Sequence, residues 1–454
     1  MTASPTAPPG APPALARPPR QPTMPPGSRL PSWAQTLRWM VRPVPFIEEL
    51  QARHGDVFTV RLMQEDPWVM VSDPELIKRV FTAPSDVLHA GEGNQILKPI
   101  LGPSSVLLLD GDQHMRQRKL LLPPFHGSRM ERYVEVMREV VEAEIERWPM
   151  GVADRAWPRM QAITLEVILR AVFGVTERER LDPLREGLRE MTDYTGDARR
   201  MATLVLAGTE RIGRYRWLGF QGLMERVDEL VLAEIARHRQ YGDLEERDDV
   251  LSLLLQARHE DGSPMSDSEL RDELMTLLIA GHETTATSLG WALERLVRHP
   301  EALDRTVAEA EDGGGPYTEA VIQETLRLRP VIPVVARHVK EPFELGDHLI
   351  PVGATITPSI VLVQRRPDVY PDPTAFKPER FLDQTPGTYT WIPFGGGVRR
   401  CIGASFALFE MRIVLSTLLS RATVRAAEPE AERIRRRSIT MTPSRGARIV
   451  LAPR

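Results

Sequence analysis

The sequence has 454 residues, 42% of them hydrophobic and 26% charged, a globular balance that excludes wholesale disorder and a chain embedded in a membrane. Its formal net charge of −4 gives no overall attraction to nucleic acid or to an anionic surface, and no nucleic-acid partner is expected. The single cysteine excludes an internal disulfide, and no run reaches the roughly 18 to 20 apolar residues of a spanning helix, so a cytoplasmic chain with neither transmembrane segment nor export signal is expected.

Residues 1–27 are rich in Pro, Ala and Thr with almost no large apolar side chain, which predicts a disordered or polyproline-like arm. WAQTLRWMV and PFIEELQARHG then place apolar residues at helical spacing and stop at Gly55, predicting two short helices that pack on the core, with an interfacial membrane helix as the alternative. DVFTVRL and PWVMVS predict strands, as do LGDHLIP, GATITPSI, RSITMT and ARIVLA near the other end. Nearly everything between Pro123 and Pro330 has helical periodicity, and no internal repeat is present. One mainly α domain over residues 28–454, with a minor β-sheet region built from both ends of the chain, is the expected architecture.

Within this frame a few segments carry chemistry. GDQHMRQRKLLLPPFH sets His114 and Arg118 four residues apart, aiming two cationic donors the same way; locally, a solvated basic face is the favoured reading. Ser266 and Glu269 form a capping box that opens a helix from about Asp267 to His299, stopped by Pro300. AGHETT, Ala280 to Thr285, interrupts its apolar run. There Gly281 and two threonines predict a local distortion, and Thr284 shares a face with Ala280 beside the space that Gly281 leaves. A kinked helix with satisfied hydroxyls and a surface Glu283 is locally about as good a reading as a functional one. His282 reads as structural. ETLR puts Glu324 and Arg327 one turn apart, a pair that contributes little if exposed.

FGGGVRRCIG, Phe394 to Gly403, is the most informative segment. A Gly-rich turn containing Gly395 passes through Arg399 and Arg400 into the only cysteine, Cys401, at the start of the amphipathic run ASFALFEMRIVLSTLLS. A helix N-terminus and two arginines favour a thiolate, and the glycines let the backbone approach a flat ligand. A lone intracellular cysteine is nevertheless most often an inert buried hydrophobe.

The pattern F-x-x-G-x-R-x-C-x-G is met at Phe394, Gly397, Arg399, Cys401 and Gly403, and the segment resembles the haem-binding loop of the cytochrome P450 family. With AGHETT, ETLR and the PERF segment Pro378 to Phe381 in the family's order, the resemblance extends over residues 28–454. It implies the cytochrome P450 fold and a haem b cofactor with Cys401 as the iron ligand, whose thiolate favours O–O cleavage. Phe394 and Gly395 then lie beside the macrocycle. Glu283 and Thr284 become the acid–alcohol pair that relays protons during oxygen activation. His114, Arg118, Arg337 and Arg399 become propionate ligands, and Arg380 completes a fold-locking cluster with Glu324 and Arg327. One departure is the short EDGGGPYT connection before the Glu324 helix.

The resemblance further implies a monomeric monooxygenase that oxidises an apolar organic molecule, with a pocket lined by residues 88–106, 275–280 and 331–335. One cysteine cannot hold an iron–sulfur cluster, and no dinucleotide-binding glycine motif lies between a strand and a helix. Electrons are therefore expected from a separate ferredoxin or flavodoxin with its NAD(P)H reductase, docking on Arg116, Lys119, Arg400 and Arg412, for which a solvated face is the equal reading. A haem-thiolate isomerase or peroxygenase is the alternative enzyme, and a non-catalytic haem sensor or carrier the alternative class. The intact Glu283–Thr284 pair argues against the former, and the lack of a signalling domain against the latter.

Overall fold

The computed structural model describes residues 21–125, 127–175, 177–197, 220–382 and 384–454. Residues 1–20, most of the expected arm, lie outside the described residues. The rest of that arm is not loose. Thr23 donates its N–H to Leu349 O at 2.9 Å, Thr59 donates to Pro25 and Pro26 carbonyls, and Gly27 bridges to Thr59. Backbone pairing to a sheet edge orders a proline-rich strip that its own side chains could not.

The two short helices form as expected: α1 (Ser32–Val41), and α2 (Pro43–His54), which Pro43 opens and Gly55, at φ 83°, closes. Strands β1 (Val57–Val60) and β2 (Trp68–Val71) follow, then α3 (Pro74–Thr82), capped by Asp73, and β3 (Leu88–His89). The helical middle comprises α4 (Gly111–Leu121), α5 (Tyr133–Glu146), α6 (Ala156–Phe173), α7 (Arg178–Gly196) and α8 (Phe220–His238), with β4 (Ala153–Arg155) between α5 and α6. The central helix, α9, runs Asp267–Leu296, and both halves of its Ser266–Glu269 capping box are made. At 1.5 Å per residue it is about 45 Å long and crosses the whole molecule. Helices α10 (Pro300–Ala310) and α11 (Pro316–Leu328) lead to β5 (Arg337–Val339), β6 (Phe343–Leu345), β7 (His348–Ile350) and β8 (Thr355–Pro358). Helix α12 (Ala404–Arg421) then precedes β9 (Ala422–Ala426), β10 (Ile434–Arg437), β11 (Thr440–Pro443) and β12 (Arg448–Pro453).

The largest sheet has the order β1-β2-β8-β5-β3, with β2 and β8 parallel and its other neighbours antiparallel. A second sheet, β4-β12-β9, also joins distant parts of the chain. The main apolar core surrounds α9, which packs along α6 and also touches α11 and α12. The distortion expected at AGHETT does not break α9, which is helical throughout. Thr284 and Thr285 direct their hydroxyls to the carbonyls of Ala280 and Gly281 at 2.7 and 2.9 Å, satisfying themselves without opening the helix.

Candidate active site

Glu324 and Arg327 are both fully buried on α11. Arg327 Nε and Nη2 donate to the two Glu324 oxygens at 2.6 and 2.8 Å, and its remaining donors reach the carbonyls of Gln364, Pro373 and Ala375. Arg380, from the short turn Pro378–Phe381, adds a contact to Glu324 at 3.2 Å, as the Lys377 N–H does at 2.8 Å. The local pair is thus the centre of a closed network that ties α11 to the chain leading into the cysteine loop.

That loop places Cys401 between a short turn (Gly397–Arg399) and α12, with its N–H donated to Phe394 O at 3.0 Å. Gly396 and Gly397 serve a different purpose from the one expected. A Cβ on Gly396 would lie 2.2 Å from Phe81 Cδ2, and one on Gly397, at φ +64°, 2.1 Å from Phe81 O. These glycines therefore admit α3, whereas Gly403 has open space where its side chain would be. Cys401 is water-accessible, yet burial pushes its thiol above the ordinary range. A side chain that is both accessible and desolvated lines an interior recess. The expected thiolate preference is thus overturned for the protein's own surroundings. The Gly403 N–H and the Arg400 and Arg118 guanidiniums oppose the upward shift but do not outweigh desolvation, and Arg399 is not among them. A soft metal cation that displaces the proton supplies the missing stabilisation.

Four cationic or protonatable side chains gather near this loop. Arg399 donates to Val106 O at 3.2 Å and also bonds Leu109 O and Asp110. Arg337, on β5, is buried, lies over the Phe81 ring at 5.6 Å and donates to the adjacent Ala336 carbonyl. His114 and Arg118, on α4, have no side-chain hydrogen bond or ion pair among the described residues. Burial, then Arg399, Arg118 and Arg337, push His114 down to about 3. Burial lowers Arg337 to about 10, Arg399 adding to the effect, and burial likewise lowers Arg399 to about 10 although Asp110 opposes it. This cluster is short of negative charge, and two carboxylates would complete it. The residues present therefore fit a haem with its propionates toward His114, Arg118, Arg337 and Arg399 and its iron toward Cys401.

On α9, Ala280 is exposed and Thr284 half-buried, although Leu278, Thr285 and Ala286 beside them are buried. The helix therefore meets an interior recess here. Glu283 does not hydrogen-bond Thr284. It accepts from Gln161 Nε2 on α6 at 2.7 Å and pairs with Arg437 on β10 at 3.2 Å. Arg437 also reaches Thr192 O and Asp193 on α7, at 3.1 and 3.0 Å, and stands 4.8 Å from the centre of the Trp157 ring. Arg437 was missed by the sequence reading, in which RSITMT signalled only a strand. His282 is buried, bonds its own helix at Leu278 O, and is pushed down by burial, in accord with a structural role. Of the four basic residues expected to dock a carrier, Lys119 and Arg412 are paired with Glu260 and Glu319, while exposed Arg116 and Arg400 have no ion pair among the described residues.

A helix-rich fold with a desolvated cysteine below a central helix, and a cationic cluster awaiting carboxylates, defines a haem protein of the cysteine-ligated class. Residues 24–450 match the Cytochrome P450 family. Over 432 residues the chain is 42% identical to cytochrome P450 135B1 of Mycobacterium tuberculosis, covering 94% of this chain and 91% of that one. It is 41% identical over 402 residues to cytochrome P450 137 of the same species, covering 88% and 84%. The fold matches the retinoic acid-bound cyanobacterial CYP120A1, with a TM-score of 0.82 at 24% identity over 96% of this chain and all of that one, and the cytochrome P450DA heme domain at 0.81 and 23%, over 96% and 99%. The chain belongs to the cytochrome P450 family. It is a haem-thiolate monooxygenase binding haem b, and as the only cysteine, Cys401 is the one side chain able to give the thiolate. No helix among the described residues is long and apolar enough to cross a membrane.

Proposed function

We propose that this monooxygenase inserts one oxygen atom of O2 into an apolar small molecule, RH + O2 + 2 electrons + 2 protons giving ROH + H2O, with electrons brought by a separate ferredoxin or flavodoxin. Haem b, when bound, supplies the reductive activation of O2. Cys401 holds its iron, and His114, Arg118, Arg337 and Arg399 hold its propionates. Exposed, unpaired Arg116 and Arg400 support an acidic carrier. In this reading Thr284 orders the water that brings protons into the recess, and Glu283 feeds it. The observation that carries the reading is the placement of Glu283, beside Thr284 on the oxygen-side helix, at the inner end of an ion-pair chain through Arg437 to Asp193, whose side chain is 68% exposed: when the pair with Arg437 opens, the carboxylate can take a proton from the solvent side and turn it toward the recess. An isomerase has no use for such a route.

Thr284→Ala tests it, with a surrogate redox pair and an apolar compound selected by its haem spin-state shift. The variant is expected to keep haem and to consume NADPH while electrons emerge as hydrogen peroxide, with product formation down by about 10² to 10⁴. Unchanged coupling of NADPH to product would remove Thr284 from proton delivery.

A further inference from the structure

The loop of residues 102–110 is held from two sides. On the central-helix side, Ser104 N–H donates to Asp272 and Val106 N–H to Glu273, both at 2.8 Å, and Thr276 Oγ1 bonds Ser105 Oγ at 2.7 Å. Gly102, at φ +84°, brings the backbone so close that a Cβ there would lie 2.0 Å from Asp272 Oδ1. On the cysteine side, Arg399 takes the carbonyls of Val106 and Leu109 and the Asp110 carboxylate. Val106 thus gives its N–H to the oxygen-side helix and its C=O to the loop that carries Cys401. We propose that Glu273 is a positioning residue that fastens loop 102–110 to the central helix and thereby sets where Arg399 comes to rest.

The chemistry around Glu273 explains why this fastening is conditional. The side chain is fully buried. Asp272 and Glu269 face it from its own helix, α4 contributes the neutral Gln117 amide, and the loop contributes the Val106 N–H. Arg271, the nearby cation, is turned to Asp228 and Asp272, and no ion pair reaches Glu273 among the described residues. Burial pushes the carboxyl up to about 8, so at neutral pH it is the uncharged acid. Its second oxygen and Gln117 Nε2 both lack hydrogen-bond partners. A half-turn of the Gln117 amide would present its carbonyl to the acid's O–H and give that oxygen a partner.

The sign of the pH dependence follows. The closed loop holds a proton on Glu273 up to about pH 8, whereas an opened loop exposes a carboxyl with the ordinary value near 4.5. Opening therefore becomes easier by up to about tenfold per pH unit between those values, and levels off above the upper one. Hydrogen exchange on the full haem-loaded chain reads this directly. From about pH 6 to about pH 8 the protection factors of residues 102–110 should fall by up to roughly a hundredfold. Glu273→Gln keeps the acceptor for Val106 N–H and cannot ionise, so it should hold the loop with a flat profile. Glu273→Ala should lose protection there at every pH and release haem roughly tenfold faster, the loss expected for one buried hydrogen bond. The proposal is overturned if the Gln variant keeps the wild-type slope, or if the Ala variant protects residues 102–110 normally. Should the Ala variant not fold, the Gln profile decides alone.

Discussion

Glu324 and Arg327 form a buried ion pair that closes on itself, with Arg380 at its edge, whereas His114, Arg118, Arg337 and Arg399 form a charge cluster that does not. In the first, every Arg327 donor nitrogen finds a carboxylate or carbonyl and both Glu324 oxygens are used. In the second, Asp110 is the single carboxylate countering Arg399, and His114 is held neutral by burial and by the cations around it. A set of charges completed by the protein locks the fold. One left with surplus charge is built for a ligand of opposite sign, and its members repel one another until that ligand arrives.

Substitutions that remove one cation from each cluster break the comparison most sharply. Arg327→Ala strips the partner from a buried carboxylate and should cost about 3 to 5 kcal/mol, seen as a sharp loss of soluble, haem-loaded protein. A variant of normal yield and thermal midpoint would show that the closed cluster does not lock the fold. Arg118→Ala should act with two signs. It relieves repulsion, so the haem-free protein should melt no lower than its parent, while losing a charge-assisted bond should speed haem transfer to a scavenger globin by about ten- to a hundredfold. Equal destabilisation of both forms would make Arg118 a structural residue like Arg327.

The last effect is a pH dependence, negligible at neutral pH and growing as the pH falls. With His114 held near 3 in the fold against an ordinary 6.5, the unfolded chain binds the proton more readily. Stability from this group is therefore complete above about pH 6.5 and is lost as the pH falls toward 3. Equilibrium unfolding of haem-free protein should show that decline, and His114→Gln should flatten it. Bound propionates should also flatten it by raising the histidine's proton affinity, so an identical decline with and without haem would separate His114 from the propionates.

Much of this candidate site was read from short motifs whose residues are local in sequence. The His114–Arg118 spacing, AGHETT, ETLR and the cysteine loop each lie within one turn or loop, and their order along the chain carried the resemblance where residue type alone favoured, or allowed equally, a solvated face, a kinked helix or an inert thiol. The structure added what local sequence lacks. Arg437 meets Glu283 from 154 residues away and Val106 meets Glu273 from 167, contacts set by the docking of β10 and of loop 102–110. Two inferences from residue type gave way to packing. The threonines, with their hydroxyls on carbonyls one turn back, do not break the central helix, and the cysteine's helix terminus and arginines lost to desolvation. Gly396 and Gly397 were read as room for a macrocycle, but it is Phe81 that occupies that room.

The order in which the chain is made bears on the sheets. Strand β2 has β8 as a neighbour, and β4 pairs with β12, in both cases a strand hundreds of residues further along the chain. Translation proceeds from the N-terminus, so β2 and β4 emerge long before the strands that cover their edges. Until then their unpaired backbone groups are open to wrong partners. The cysteine loop arrives equally late, hundreds of residues after His114 and Arg118. Haem capture must therefore wait until that loop has been made, and a ribosome that stalls before it leaves a chain with β4 unpaired and no thiolate for the haem.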